Sequence, residues 1–345
     1  MFSANYSFVD RFAHHLALGS PRLARLLFDV ERELFRSPQK PTHSVYVTGL
    51  ARAGTTTLLE GLHNTNVFAS LTYRDMPFVL SPNLWERVAR LSRKKSEVLE
   101  RAHGDGIQVG FDSSEAFEEV FWRVICGGDY IRPDHLCPHD VSSKVVDDLL
   151  AYQSLVCLRY KKTRYLAKNN NLLLRLKSLA AATPQTTYVI LFRDPIAQAY
   201  SLLSQHLRFA TSGAFPHRYM NWLVHHEFGS THRPFRFHDS PLQDTLQGNP
   251  TEIDYWLDRW SDAYTHLLDA LDSGLPNLLP VSFEQLCNQP AYWARICKAL
   301  DLPETQSLFR HKLPQISMAA DPERESVAAG IYQRLEALAS GALAG

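Results

Sequence analysis

The chain has 345 residues, 45% of them hydrophobic and 11% aromatic, enough for one large domain or two small ones around a real core. Thirty-six basic residues balance thirty-six acidic ones, so no global field favours nucleic acid and any anion site must be a local cluster. Five scattered cysteines without C-x-x-C spacing argue against a disulfide scaffold or zinc site and fit a reducing, cytoplasmic compartment. No apolar run approaches the roughly 20 residues of a membrane span, and Asp10, Arg11, His14 and His15 interrupt any signal-like N-terminus.

Residues 21–35 place apolar side chains at helical spacing and predict a surface helix packed on the domain, with membrane or partner attachment as the alternative. Residues 45–59, VYVTGLARAGTTTLL, then read as a strand, a tight glycine turn and a helix start. A nucleotide-triphosphate loop is G-x-x-x-x-G-K-[ST]. Gly49 and Gly54 hold its glycine positions and Thr56 its hydroxyl position, but Thr55 stands where the lysine belongs, and the cation is Arg52, inside the loop. Backbone N–H groups and a helix N-terminus still suit a phosphate. The lysine that bridges β- and γ-phosphates in a magnesium-dependent NTPase is missing.

Downstream, 67–71 is a candidate second strand, and 85–160 is charged and helix-rich without a strong parallel-strand signal. A strand end at 164–168 precedes a helix over 171–182, and 187–192, TYVILF, is the clearest buried strand. A helix starts at Pro195, where proline suits the first turn. Residues 229–250 are rich in Gly, Pro, His and Ser and form a long loop, suited to a lid or substrate element. Trp256 and Trp260 sit four apart on a helix over 253–271, a core pattern; a strand at 278–281 and a helix over 292–300 follow. Strands alternating with helices in this order predict an α/β fold with a central parallel sheet flanked by helices.

In such a sheet, ligands gather where strands hand over to helices. Three junctions carry unusual polar chemistry: the Arg52 loop; Phe192-Arg193-Asp194-Pro195 with Ser201 eight residues past Arg193; and Lys168 ahead of Asn169, Asn170 and Asn171. Arg193 offers a permanent forked charge to a phosphate. Alone, the Arg193–Asp194 pair reads equally as a surface pair at a helix start.

Together, the loop and F-R-D-P-x-x-x-A-x-S resemble the sulfotransferase family, which uses 3′-phosphoadenosine 5′-phosphosulfate (PAPS) as donor. The resemblance implies a P-loop-type three-layer fold in a single domain over 1–345, with an N-terminal helical segment at 1–40, a helical insertion at about 85–160 and an acceptor-side loop at about 229–250. It implies that Arg52, Ala53, Gly54, Thr55, Thr56 and Thr57 form the 5′-phosphosulfate site and that Arg193 and Ser201 bind the 3′-phosphate. No metal is implied. Lys168, ahead of Leu176-Lys177-Ser178-Leu179, resembles the lysine that contacts the leaving phosphosulfate in the tyrosyl-protein branch, the nearest together with the carbohydrate branch. Phe283-Glu284-Gln285-Leu286 resembles that branch's Y-E-Q-L element near the adenine, with phenylalanine in place of tyrosine. The family's late lysine- or glycine-rich nucleotide loop has no convincing counterpart.

Sulfuryl transfer to a hydroxyl needs charge neutralisation on the leaving oxygen, assigned to Lys168 and Arg52, and a base. Asp75 in Tyr73-Arg74-Asp75-Met76-Pro77 is the first candidate, near where the tyrosyl-protein branch places its glutamate but at slightly longer spacing; an Arg74–Asp75 loop pair is the alternative. Glu115 and Glu119, four apart, come second and His103 third. His225-His226-Glu227 invites a metal reading, but adjacent histidines point different ways on a helix and no third ligand is suitably spaced. That segment borders an acceptor pocket or is a polar helix end. The expected acceptor is a hydroxyl of a carbohydrate or small molecule. The rival readings are a P-loop kinase-like phosphotransferase and a non-catalytic nucleotide-binding protein.

Overall fold

The computed structural model describes residues 8–36, 40–89, 99–100, 108–109, 117–210, 214–237, 248–303, 305–306, 309 and 318–343. Five strands form the central sheet: β1 (Val45–Thr48), β2 (Phe68–Ala69), β5 (Arg164–Lys168), β6 (Thr187–Phe192) and β7 (Leu278–Ser282). Their order is β2-β5-β1-β6-β7, and every pairing is parallel. A separate antiparallel pair joins β3 (Leu99–Glu100) to β4 (Gln108–Val109).

The period-two alternation of a strand divides its side chains between two layers. Val45, Val47, Val189 and Leu191 face one core, closed by Leu58, Leu59 and Leu62 of α3 (Thr55–His63) and by Trp293 and Ile296 of α12 (Pro290–Ala299). Tyr46, Tyr188, Ile190 and Phe192 face the other. There α6 (Ser143–Tyr160), α8 (Pro195–Ala210), α10 (Ile253–Leu271) and α13 (Pro322–Ala342) contribute Leu149, Leu202, Trp260 and Leu335. A parallel sheet buried on both faces makes the protein a three-layer α/β fold of the P-loop type, as expected.

The strand tyrosines need polar partners inside that core. Tyr46 and Tyr165 donate to Glu118 at 2.6 and 2.7 Å, and Trp122 Nε1 donates to the same carboxylate at 2.9 Å. Burial raises the Glu118 carboxyl above its ordinary value.

Three details differ from the sequence expectation. The second strand shrinks to Phe68–Ala69 at the sheet edge. The helix expected over 171–182 is a 3₁₀ turn over Asn170–Arg175 before α7 (Leu176–Ala182), because the Asn169 side chain accepts from Asn171 N at 2.9 Å and tightens the start. The α13 helix was not expected at all. Its start is legible as Asp321-Pro322-Glu323, since Asp321 accepts from the N–H groups of Glu323 and Arg324 at 3.0 and 3.1 Å. The amphipathic segment near the N-terminus forms α2 (Pro21–Leu34), with Phe28 fully buried. Among the described residues no helix is long and apolar enough to cross a membrane.

Candidate active site

Because the sheet is all parallel, the ends of β1, β5 and β6 open on one edge, and all three polar junctions meet there. The loop after β1 makes its turn through Gly49 at φ 140°, where a Cβ would lie 2.2 Å from the Leu191 carbonyl oxygen. Only glycine fits. Gly54, at φ 95°, opens α3 without a side-chain cap, and a Cβ there would strike the Phe283 ring at 2.4 Å. Elsewhere Ser20, Ser142, Ser282 and Asp321 cap helix starts with their side chains. The first N–H groups of α3 therefore have no such cap, the arrangement that suits an anion.

Gln198 holds the loop from beneath, donating to the carbonyls of Leu50 and Ala51 at 3.1 and 2.9 Å. Trp260 Nε1 and Tyr264 OH donate to the Gln198 carbonyl oxygen and fix its orientation. Sequence reasoning missed Gln198; its signal was only a glutamine one turn into a helix after Arg193.

The structure brings most of the expected donor-site residues together. Arg52, itself at φ 70°, donates from Nε to Ser201 Oγ at 3.0 Å. Arg193 donates from Nη1 to the Arg52 carbonyl at 3.3 Å and lies over the Phe283 ring at 5.1 Å. Burial lowers the Arg193 guanidinium, with Glu284 and Asp194 opposing. Lys168, the last residue of β5 and 6% exposed, donates from Nζ to Thr56 Oγ1 at 2.9 Å. Ala53 is fully buried under the loop and Thr57 half-buried on the first turn of α3.

The candidate bases divide differently. Asp75 is 1% exposed and closes a capping box: its Oδ2 accepts from Thr72 N at 2.8 Å and Tyr160 OH at 2.5 Å, while Oδ1 faces Arg159 Nε at 3.7 Å. Burial raises its carboxyl despite those partners. None of them belongs to the loop after β1. Glu119 binds Arg175, Asn169 and Tyr130. Glu115 and His103 lie outside the described residues.

A further carboxylate does reach the loop. Thr55 Oγ1 donates to Asn170 Oδ1 at 3.2 Å, Asn170 Nδ2 donates to Glu227 Oε1 at 3.3 Å, and His225 Nδ1 meets the same oxygen at 3.2 Å. Just before this segment, Val224 holds φ 56°, a conformation that costs a β-branched residue free energy; Asn171 Nδ2 ties down its carbonyl at 2.9 Å. Burial would raise the Glu227 carboxyl, but His225, its own backbone N–H and the Lys168 charge hold it at about 2. His226 turns away to the Thr231 carbonyl at 3.0 Å, so the two adjacent histidines do point different ways.

The sequence pattern of the sulfotransferase family matches residues 44–233, more than half of the chain. No curated protein matches it. Among solved structures, sulfotransferase STF1 from Mycobacterium tuberculosis H37Rv superposes with a TM-score of 0.54 at 12% identity, covering 98% of this chain and 88% of that one. STF9 from Mycobacterium avium (TM-score 0.45, 14% identity, 96% of this chain and 79% of that one) is a weaker likeness. So is a sulfotransferase from Alicyclobacillus acidocaldarius (0.40, 14%, 86% and 95%). At these identities the likeness to STF1 speaks for the fold alone. With the family pattern spanning β1, β5, β6 and the junctions after them, the chain belongs to the sulfotransferase family.

Proposed function

We propose that the protein, acting in the cytoplasm as one domain, transfers a sulfuryl group from PAPS to a hydroxyl of a carbohydrate or small-molecule acceptor. The observation that carries this reading is the meeting of Arg52, Ser201 and Arg193, which lie up to 149 positions apart in sequence, beside the uncapped start of α3. Such a cluster offers two guanidinium groups, a hydroxyl and a helix N-terminus to the two phosphate groups of one nucleotide.

In this reading PAPS supplies the activated sulfuryl group, and the protein supplies position and charge. Arg52 to Thr57 hold the 5′ end, and Arg193 with Ser201 holds the 3′-phosphate. Phe283, against Gly54 and Arg193, forms an apolar wall for the nucleotide. Lys168 and Arg52 neutralise charge that develops on the leaving oxygen. Lys168 is directed at this task by Thr56, and Gln198 keeps the loop carbonyls turned away from the anion.

Calorimetric titration with 3′-phosphoadenosine 5′-phosphate, beside ATP, tests the donor assignment. Magnesium-independent binding, weakened at least tenfold in both Arg193→Ala and Ser201→Ala, is expected. A preference for ATP, or magnesium-dependent ATP turnover, would replace this reading with the kinase one.

A further inference from the structure

The C-terminal helix, which lies outside the residues that carry the family pattern, reaches the neighbourhood of Arg193. On α13, Tyr332 and Glu336 stand four apart and share a face. Glu336 accepts from Ser282 Oγ at 2.5 Å and from Gln285 Nε2. Ser282 caps α11 (Phe283–Asn288), so this carboxylate helps to fix where α11 starts. Tyr332 meets the Phe192 ring edge to face at 5.7 Å and donates from its hydroxyl to Glu284 Oε2 at 3.1 Å. Glu284 Oε1 accepts from Asp194 N at 3.1 Å, at the turn where β6 hands over to α8. One carboxylate therefore ties the backbone just after Arg193 to the C-terminal helix. Burial raises that carboxyl, opposed by the N–H groups of Asp194 and Glu284, the Tyr332 hydroxyl and the Arg193 charge.

We propose that Glu284 and Tyr332 are positioning residues for the 3′ end of the donor. Glu284 sets the backbone that carries Arg193, and Tyr332 holds the Glu284 charge in place, so that Arg193 serves the 3′-phosphate rather than the carboxylate. The proposal rests on the donor reading above and adds the C-terminal helix to that site. Two anions compete for one guanidinium. Away from bulk water, the one with the better geometry gains most from its charge. Glu284 already acts on the Arg193 charge, but Asp194 N engages its Oε1 and Tyr332 its Oε2. Without the phenol hydroxyl, Oε2 becomes a buried acceptor that has lost its donor, and turning toward Arg193 relieves that cost. The nucleotide must then displace a carboxylate before it can seat its 3′-phosphate. A nucleotide that lacks a 3′-phosphate makes no such demand and keeps its affinity.

Calorimetric titration of the full chain with 3′-phosphoadenosine 5′-phosphate and with adenosine 5′-phosphate tests it, since the two differ only in the 3′-phosphate. Wild type should bind the bisphosphate roughly tenfold more tightly, or better. Tyr332→Phe should weaken the bisphosphate about three- to tenfold and leave adenosine 5′-phosphate within about twofold of wild type. Glu284→Gln keeps an oxygen for the Asp194 N–H and removes the competing charge, so it should bind the bisphosphate as tightly as wild type or more so. The double variant Tyr332→Phe/Glu284→Gln should regain wild-type affinity. A loosened fold would weaken both nucleotides alike, and that result in Tyr332→Phe would overturn the proposal. So would no weakening there, or a double variant no better than the single one. If Tyr332→Phe does not fold, Glu284→Gln decides alone: weaker bisphosphate binding overturns the proposal, and equal or tighter binding supports it. A wild type that binds the bisphosphate no better than adenosine 5′-phosphate, or that prefers ATP, would overturn the donor reading instead.

Discussion

Two consecutive asparagines after β5 reach two buried carboxylates of opposite character. Asn169 donates to Glu119 at 2.7 Å, and Asn170 donates to Glu227 at 3.3 Å. Around Glu119 every acceptor position is used: Arg175 bonds both oxygens, at 2.9 and 3.3 Å, and Tyr130 completes the set. Arg175 is itself fully buried over the Trp122 and Tyr130 rings. Glu227 keeps one buried oxygen, Oε2, without a hydrogen-bond partner. A buried carboxylate saturated by its own protein can only hold the fold together. One with an unpartnered oxygen has less to lose when its charge is removed. Burial alone does not distinguish them; the tally of hydrogen-bond partners does.

Substitutions at the two sites should therefore have opposite signatures. Glu119→Ala strands the buried Arg175 charge and should cost about 3–5 kcal/mol of stability, measured by urea denaturation, whereas Glu227→Gln should stay within about 1 kcal/mol of wild type. If the losses were reversed, the contrast would collapse. Asp75 sharpens it from a third direction. Asp75→Asn disturbs the Thr72 and Tyr160 bonds and should destabilise by about 1–3 kcal/mol, with kcat for sulfuryl transfer changed less than threefold. A hundredfold fall in kcat at unchanged stability would assign the base to Asp75.

The smallest effect comes from the histidines beside Glu227. Burial keeps the imidazoles of His226 and His232 down at about 4, against the ordinary 6.5. Between those values the unfolded chain binds protons that the native protein refuses. Their contribution is therefore intact above about pH 6.5 and is lost as pH falls toward 4. Stability should drop on the order of 1 kcal/mol from pH 7 to pH 6, and His226→Asn should flatten that slope. An unchanged slope would mean that these rings are not kept neutral by burial.

Much of the frame was legible because it rests on local signals. Strand β6 is a run of apolar residues bounded by Thr187 and Arg193, and Gly49 and Gly54 mark turns that no other residue could make. The Arg52, Arg193 and Ser201 motifs carry their own residue types at fixed spacing. Less legible were elements whose form depends on distant partners: the 3₁₀ turn over Asn170–Arg175, bound to Val224 and Glu119, and the edge strand cut to Phe68–Ala69.

The candidate base shows where sequence reading stopped. Asp75, Glu119 and Glu227 are equivalent as letters, each an acidic residue beside polar neighbours. By itself the sequence determined the α/β alternation, the parallel sheet and the motifs of Arg52, Arg193 and Ser201, since periodicity, glycine conformation and charge type belong to a few adjacent residues. Only the tertiary structure decided that Glu119 is saturated while Asp75 Oδ1 and Glu227 Oε2 are each left without a hydrogen-bond partner. Those partners come from remote segments, Tyr160 for Asp75, Arg175 for Glu119 and Asn170 for Glu227, and hydrogen-bond satisfaction exists only once the chain has brought them together.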